Sequence, residues 1–177
     1  VYVSFEESVE DLMADAESIG FDFKALSNKV KFVHIPLYKI ASFSAYLKDE
    51  ILQFGPKRLI IDSISALAMP MEDDFERRKE IHLVKEALKK IDCTSILISE
   101  VPSEGSVGVD SRGRFSRYDI EEFLCDSLIV LYYAGLGGES DRAIRVVKMR
   151  KTNHLRGPIP MEIGKSGIKV SKSKFSH

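Results

Sequence analysis

The chain has 177 residues, 44% of them hydrophobic and 30% charged, with a formal net charge of −1, which gives one soluble domain able to bury its own core and excludes a disordered, collagenous or coiled-coil chain. Its apolar runs are short, from Leu59-Ile60-Ile61 up to the seven residues of Leu128–Ala134, far below the roughly 20 needed to span a bilayer. The near-neutral total hides an asymmetry: residues 141–177 carry ten Lys/Arg against Asp141 and Glu162, a net +8, which leaves −9 for residues 1–140. The basic end is therefore either a solvated face or a surface that meets phosphate or nucleic acid.

The first residues, Val1-Tyr2-Val3-Ser4-Phe5, show neither an initiator Met nor a basic leader and read as the interior of a longer polypeptide without a signal peptide. They predict a short strand that passes through Glu6-Glu7 into a helix. Ser8-x-x-Asp11 opens that helix as a capping box would, Val9, Leu12, Met13, Ala16 and Ile19 fall at helical spacing, and Gly20 is placed to end it. The run Val30–Ile35 predicts a second strand, and after Pro36 the residues Ile40, Phe43, Leu47, Ile51 and Phe54 share a helical face that stops at Gly55-Pro56. Arg58-Leu59-Ile60-Ile61-Asp62 reads as a buried strand ending in a carboxylate. Residues 75–91, with Ile81, Val84, Leu88 and Ile91 on one face, supply the next helix, and Thr94–Ser99 the strand after it.

Short buried strands alternating with amphipathic helices imply βαβ units and a parallel sheet covered on both faces, an α/β fold. Residues 101–118, rich in Gly, Ser, Pro and charge, read as a functional or mobile loop. Beyond them, Leu128–Tyr133 and Ala143–Val147 predict two strands joined through Gly135, Gly137 and Gly138. Pro158–Ile163 and Gly167–Val170 form a further short hairpin, so the sheet is expected to finish antiparallel at one edge. Cys93 and Cys125 lack any C-x-x-C spacing and read as reduced, buried thiols of a cytosolic protein.

Ligands of an open parallel sheet bind beyond the carboxyl ends of its strands. Three of the expected strands end in polar groups there: Glu6-Glu7, Asp62-Ser63 and Ser99-Glu100. A carboxylate closing an apolar strand, as in Leu-Ile-Ile-Asp-Ser, is the Walker B pattern that holds Mg²⁺ in nucleotide hydrolases, although strand-terminal Asp also serves as a helix cap. The partner motif G-x-x-x-x-G-K-[ST] is absent from these 177 residues. Gly164-Lys165-Ser166 resembles its end, but the position of the first glycine is Ile159, and the tripeptide lies between two short strands as a hairpin turn. A phosphate cradle is expected upstream of Val1, and this chain by itself is expected to hydrolyse little or no ATP.

Four blocks together resemble the KaiC-like branch of the RecA/RadA ATPase superfamily, in the same order and over nearly the whole chain. They are Val-Tyr-Val-Ser-Phe-Glu-Glu-Ser (1–8), Leu-Ile-Ile-Asp-Ser-Ile-Ser-Ala-Leu (59–67), Ile-Glu-Glu-Phe-Leu-Cys-Asp-Ser (120–127) and Arg-Ala-Ile-Arg-Val-Val-Lys-Met-Arg-Lys-Thr-Asn-His (142–154). The resemblance implies a RecA-like P-loop NTPase core spanning residues 1–177 as one domain, whose first strand, Walker A loop and first helix precede Val1. It also implies ATP and Mg²⁺ as cofactors and a cytoplasmic homo-oligomer, a hexameric ring with its active site between subunits and no membrane partner.

Residue by residue, the resemblance makes Glu6 and Glu7 the acidic pair that polarises the attacking water and Asp62 the Mg²⁺ aspartate. A strand-end carboxylate can act as such a base, while the plain alternative for the pair is a first-turn partner of the helix dipole. Lys148 and Arg150 are separated by two along a strand, hence on one face, with Met149 between them on the other. The resemblance makes them a cationic pair reaching a neighbouring subunit's nucleotide, Arg150 as an arginine finger, with Met149, Thr152 and His154 in the same nucleotide-contacting segment; a solvated edge is the alternative. Arg112, Arg114 and Arg117 mark the loop that would face a ring's channel and contact DNA. The family's clock member carries a Ser-Thr phosphoacceptor pair where Glu122 and Phe123 stand here, so phosphorylation at that point is not expected. A non-catalytic nucleic-acid-binding or ring-assembly module of the same fold is the alternative function.

Overall fold

The computed structural model describes residues 1–39, 42–90, 92–101, 115, 118, 125–133, 135, 141–165 and 167–171. The chain divides into two compact units, Val1–Glu100 and Val101–His177. Among the described residues no helix is long and apolar enough to cross a membrane.

The first unit is built on a four-stranded parallel sheet in the order β2-β1-β3-β4, with β1 Tyr2–Ser4, β2 Phe32–His34, β3 Arg58–Asp62 and β4 Thr94–Leu97. The helices between the strands start where the sequence carries capping residues. Ser8 is extended, its Oγ accepts the Asp11 amide at 3.1 Å and donates to the Asp11 carboxylate at 2.7 Å, and α1 runs from Val9 to Ser18. It ends as the glycine predicts: Gly20 takes φ 90°, its amide reaches Glu17 O and the Phe21 amide reaches Ala16 O.

The second expected helix is α-helical only over α2, Phe43–Tyr46. It continues as a π turn over Leu47–Ile51 and a 3-10 turn over Leu52–Phe54. Phe43, Leu47 and Ile51 are buried as expected, but Phe54 is 52% exposed. Successive changes of helical pitch rotate it off the apolar face, and the Lys31 ammonium lies 3.2 Å from its ring centroid instead. The sequence reading also missed a short helix directly after Asp62. This is α3, Ile64–Ala68, whose five residues are all buried and whose N-cap Ser63 Oγ accepts the Ala66 amide at 3.0 Å; a helix buried on every side has no amphipathic periodicity to betray it. The helix α4, Asp74–Lys89, buries Ile81, Val84 and Leu88. Ile40 and Ile91, assigned to helical faces above, lie outside the described residues.

The core of this unit centres on Val3, Leu59, Ile61, Leu47, Ile64 and Val84, each 0% exposed, and fully burying a side chain of this size stabilises by about 1.5–3 kcal/mol. Phe5, just past β1, stacks edge-on against Phe43 with centroids 5.0 Å apart, which pins the segment entering Glu6-Glu7. One acid is part of this interior. Glu80 of α4 is 9% exposed and caps α2, with Oε1 accepting the Ser44 amide at 2.7 Å and Oε2 the Ser44 hydroxyl at 3.2 Å. Glu80→Ala strands the buried Ser44 amide and should destabilise the protein by about 1–3 kcal/mol. A lowered urea midpoint at unchanged slope is the expected result.

The second unit carries a four-stranded antiparallel sheet in the order β5-β6-β7-β8: Ser127–Tyr133, Arg142–Met149, Ile159–Gly164 and Gly167–Val170. The antiparallel strands, expected as the edge of one continuous sheet, thus form a sheet of their own. Gly164 and Gly167 are the closing pair of the last hairpin, and Gly167 adopts φ 93°, so Gly164 ends β7 and Lys165 enters a turn between strands, while Ser166 lies outside the described residues.

Candidate active site at the ends of the parallel strands

The register of the sheet decides which side chains meet. Val3 pairs with Val33 and Ile61, and Ser4 with His34 and Asp62. Side chains alternate between faces along a strand, so Tyr2 and Ser4 of β1 lie on the same face as Ile60 and Asp62 of β3. The backbone continues the pairing one step further, since the Phe5 amide donates to Asp62 O at 3.0 Å and the Ile35 amide to Ser4 O at 2.9 Å. Asp62-Ser63 and the turn that carries Glu6 and Glu7 therefore leave the sheet side by side, at its carboxyl end, as the sequence reading expected for these residues.

Two interactions shape this edge, and neither was legible as a motif. Ser4 is 2% exposed and its Oγ accepts the Glu7 amide at 2.9 Å, which folds the chain back after β1 and leaves the Glu6 and Glu7 side chains exposed. The Tyr2 hydroxyl donates to Asp62 Oδ2. Burial pushes the Tyr2 phenol well above its ordinary 10.0, and the bond to Asp62 and the charges of Asp62 and Glu7 push the same way. The signal for both is positional: two polar side chains two apart on a strand whose neighbour ends in Asp.

The raised Tyr2 value has a pH signature. The folded state resists loss of the phenol proton, so this contribution to stability is complete below pH about 10, where an unfolded tyrosine titrates, and declines above it. Tyr2→Phe removes that ionisation, and its urea midpoint should fall less steeply than that of the parent between pH about 9 and 11.

The third strand end is fixed through α3. Ser65 is fully buried, its Oγ lies 3.2 Å from Ser99 Oγ and accepts the Glu100 amide at 2.9 Å, while the Ile64 amide donates to Ile98 O at 2.8 Å. Mg²⁺ retains several waters and takes one or two carboxylates plus substrate phosphates rather than an all-protein cage. No three His, Cys, Asp or Glu among the described residues form such a cage. Half-buried Asp62, whose Oδ1 has no hydrogen-bond partner among the described residues, fits the water-mediated role.

The second unit holds the basic segment. Lys148 and Met149 are the last residues of β6, and Arg150 lies one residue beyond the strand, in a turn where Lys151 adopts φ 59°. The expected strand spacing of Lys148 and Arg150 is thereby corrected: the chain turns before Arg150 can be placed by strand alternation. Arg150 is tied to its own unit, its amide donating to Asp126 O at 2.9 Å and its Nη1 to Asp126 Oδ1 at 3.2 Å. Thr152 is exposed, its amide directed to Met149 O at 3.4 Å, and His154 Nδ1 lies 3.0 Å from Leu155 O. Arg112, Arg114, Arg117, Glu122 and Phe123 lie outside the described residues.

Comparison with known proteins agrees with this architecture. A family model described as a KaiC ATPase matches residues 1–175. The crystal structure of a KaiC-like protein from the hyperthermophilic archaeon Pyrococcus horikoshii OT3 superimposes with a TM-score of 0.79 at 31% identity, over 97% of this chain and 74% of that one. The circadian clock oscillator protein KaiC of Prochlorococcus marinus (strain SARG) is 28% identical over 96% of this chain and 35% of its own length. The circadian clock protein KaiC3 of Synechocystis sp. (strain ATCC 27184 / PCC 6803 / Kazusa) is 25% identical over 96% and 35%. The chain thus spans about a third of the length of the curated relatives it matches. With the family model matched almost end to end and the α/β architecture shared with a solved relative, the chain belongs to the KaiC ATPase family, within the RecA/RadA superfamily.

Proposed function

We propose that residues 1–177 are one domain, the ATP-hydrolysing core of a ring-forming KaiC-like protein that works with Mg²⁺ at the boundary between subunits. The observation that carries this reading is the one-to-one register of β1 with β3, which brings the Glu6-Glu7 turn and Asp62 out of the sheet together. In this reading Mg²⁺ supplies charge neutralisation at the phosphates, and Asp62 holds it through water. Glu6 or Glu7 accepts a proton from the attacking water while the other favours the dipole of α1. Lys148 and Arg150, with Met149, Thr152 and His154, reach the nucleotide of the adjacent subunit. The complete protein is a cytoplasmic hexamer, and a DNA contact through Arg112, Arg114 and Arg117 rests on their sequence alone.

The interface is tested by the dependence of turnover on protein concentration. Mg²⁺-dependent phosphate release per subunit from the complete polypeptide should rise as dilute subunits assemble, in step with ring formation seen by sedimentation. A turnover per subunit that is constant from monomer to ring would place the whole site within one subunit and overturn the interface reading.

A further inference from the structure

Tyr2 was assigned no role by its motif, yet its hydroxyl is bonded to the carboxylate on which the proposed Mg²⁺ chemistry depends. We infer that Tyr2 is a positioning residue for Asp62, holding Oδ2 so that Oδ1 faces the ligand side of the strand ends. The inference deepens the ATPase reading and rests on it for the Mg²⁺ role, but its geometry stands on β1 and β3 alone.

The arrangement follows from the strand pairing. Tyr2 lies opposite Ile60 and Ser4 opposite Asp62, so a tyrosine at position 2 reaches Asp62 on the diagonal of one face, a distance that an aromatic side chain spans. A shorter side chain at this position would fall short. The ring is itself held in place: Tyr2 packs against Phe32 with centroids 5.6 Å apart at 41°, and Phe32 meets Phe23 edge-on at 5.1 Å. Phe32 belongs to β2 and Asp62 to β3, so the central strand β1 links both neighbours through this one side chain. Its aromatic body is fixed on one side and its hydroxyl aimed at the other.

A carboxylate at a strand end otherwise turns freely about its two side-chain torsions. Fixing one oxygen removes that freedom before the hydrated metal arrives, as groups behind a direct metal ligand do; losing such a partner of a direct ligand typically weakens metal affinity or activity about 10- to 100-fold, and for a carboxylate acting through water the low end applies. Phenylalanine keeps the ring packing and removes only the hydroxyl, so Tyr2→Phe isolates this bond.

Two readouts test the inference. In the 177-residue chain, NMR three-bond couplings should show one Asp62 χ1 rotamer in the parent and averaged values in Tyr2→Phe, with no nucleotide or metal present. In the complete polypeptide, Tyr2→Phe should raise the Mg²⁺ concentration needed for half-maximal binding of a fluorescent ATP analogue by about tenfold, and turnover should recover at saturating Mg²⁺. Unchanged couplings, or tighter Mg²⁺ dependence in Tyr2→Phe, would overturn the inference, the second by making Tyr2 a competitor of the metal. Asp62→Asn separates the two layers. If it abolishes the Mg²⁺ dependence and Tyr2→Phe leaves that dependence untouched, the positioning role fails while the Mg²⁺ role of Asp62 survives. If Asp62→Asn also changes nothing, the Mg²⁺ reading itself fails, and the tenfold shift with it.

Discussion

Replacing both Glu6 and Glu7 by Gln is expected to slow ATP hydrolysis by the complete protein about 10²- to 10⁴-fold, the range of a lost general base, while ATP binding stays within about twofold. The amide keeps the size of the side chain and its hydrogen-bonding reach but cannot take a proton at neutral pH. The turn should survive the change, because its geometry comes from Ser4 Oγ on the Glu7 amide and from the Phe5–Phe43 contact, not from the carboxylates. Single substitutions then divide the labour: the base should account for nearly the whole loss, and the dipole partner for a stability change of only about 0.3–1 kcal/mol. Rapid-quench measurement of hydrolysis beside equilibrium nucleotide binding checks both. A double variant that loses binding in proportion to hydrolysis would show the pair to be structural.

Arg150→Ala should cost at least as much, about 10³-fold or more in turnover, if the guanidinium meets charge on the transferring phosphoryl group. Its bond to Asp126 is no obstacle to that role. The side chains are 54% and 80% exposed, and exposed ion pairs are worth about 0–1 kcal/mol, far less than the roughly 4 kcal/mol that corresponds to a thousandfold rate effect. In the proposed reading Asp126 would be a resting partner that a developing phosphoryl charge could displace. Arg150→Lys keeps the charge but loses the planar fork, and should recover only part of the rate. Equal turnover for Ala and parent would reduce Arg150 to a support for the end of β6.

Much of this was legible in the sequence because the signals were local. Ser8, Gly20 and Asp62 each mark an element boundary through their own chemistry, and the structure uses all three as boundaries. Phe54 was misplaced because a helical wheel assumes constant pitch, which Leu47–Phe54 does not keep. The helix α3 escaped because its five residues, Ser65 included, are buried all round. Tyr2 and Ser4 needed the register of β1 against β3, a non-local fact that no spacing within the chain encodes. Glu80 reads as one more acid of a charged helix, and only the fold shows it capping α2 from thirty-six residues away. Sheet membership is non-local in the same way: the hairpins were legible from their glycines, their separation into a second sheet was not.

A site shared between subunits would reveal itself on mixing two inactive variants of the complete protein, Arg150→Ala and Glu6→Gln/Glu7→Gln. In mixed rings some boundaries join an intact carboxylate pair from one subunit to an intact Arg150 from the other, and phosphate release should return there. A mixture as inactive as its parents, in rings shown by native mass spectrometry to contain both variants, would contradict the shared site.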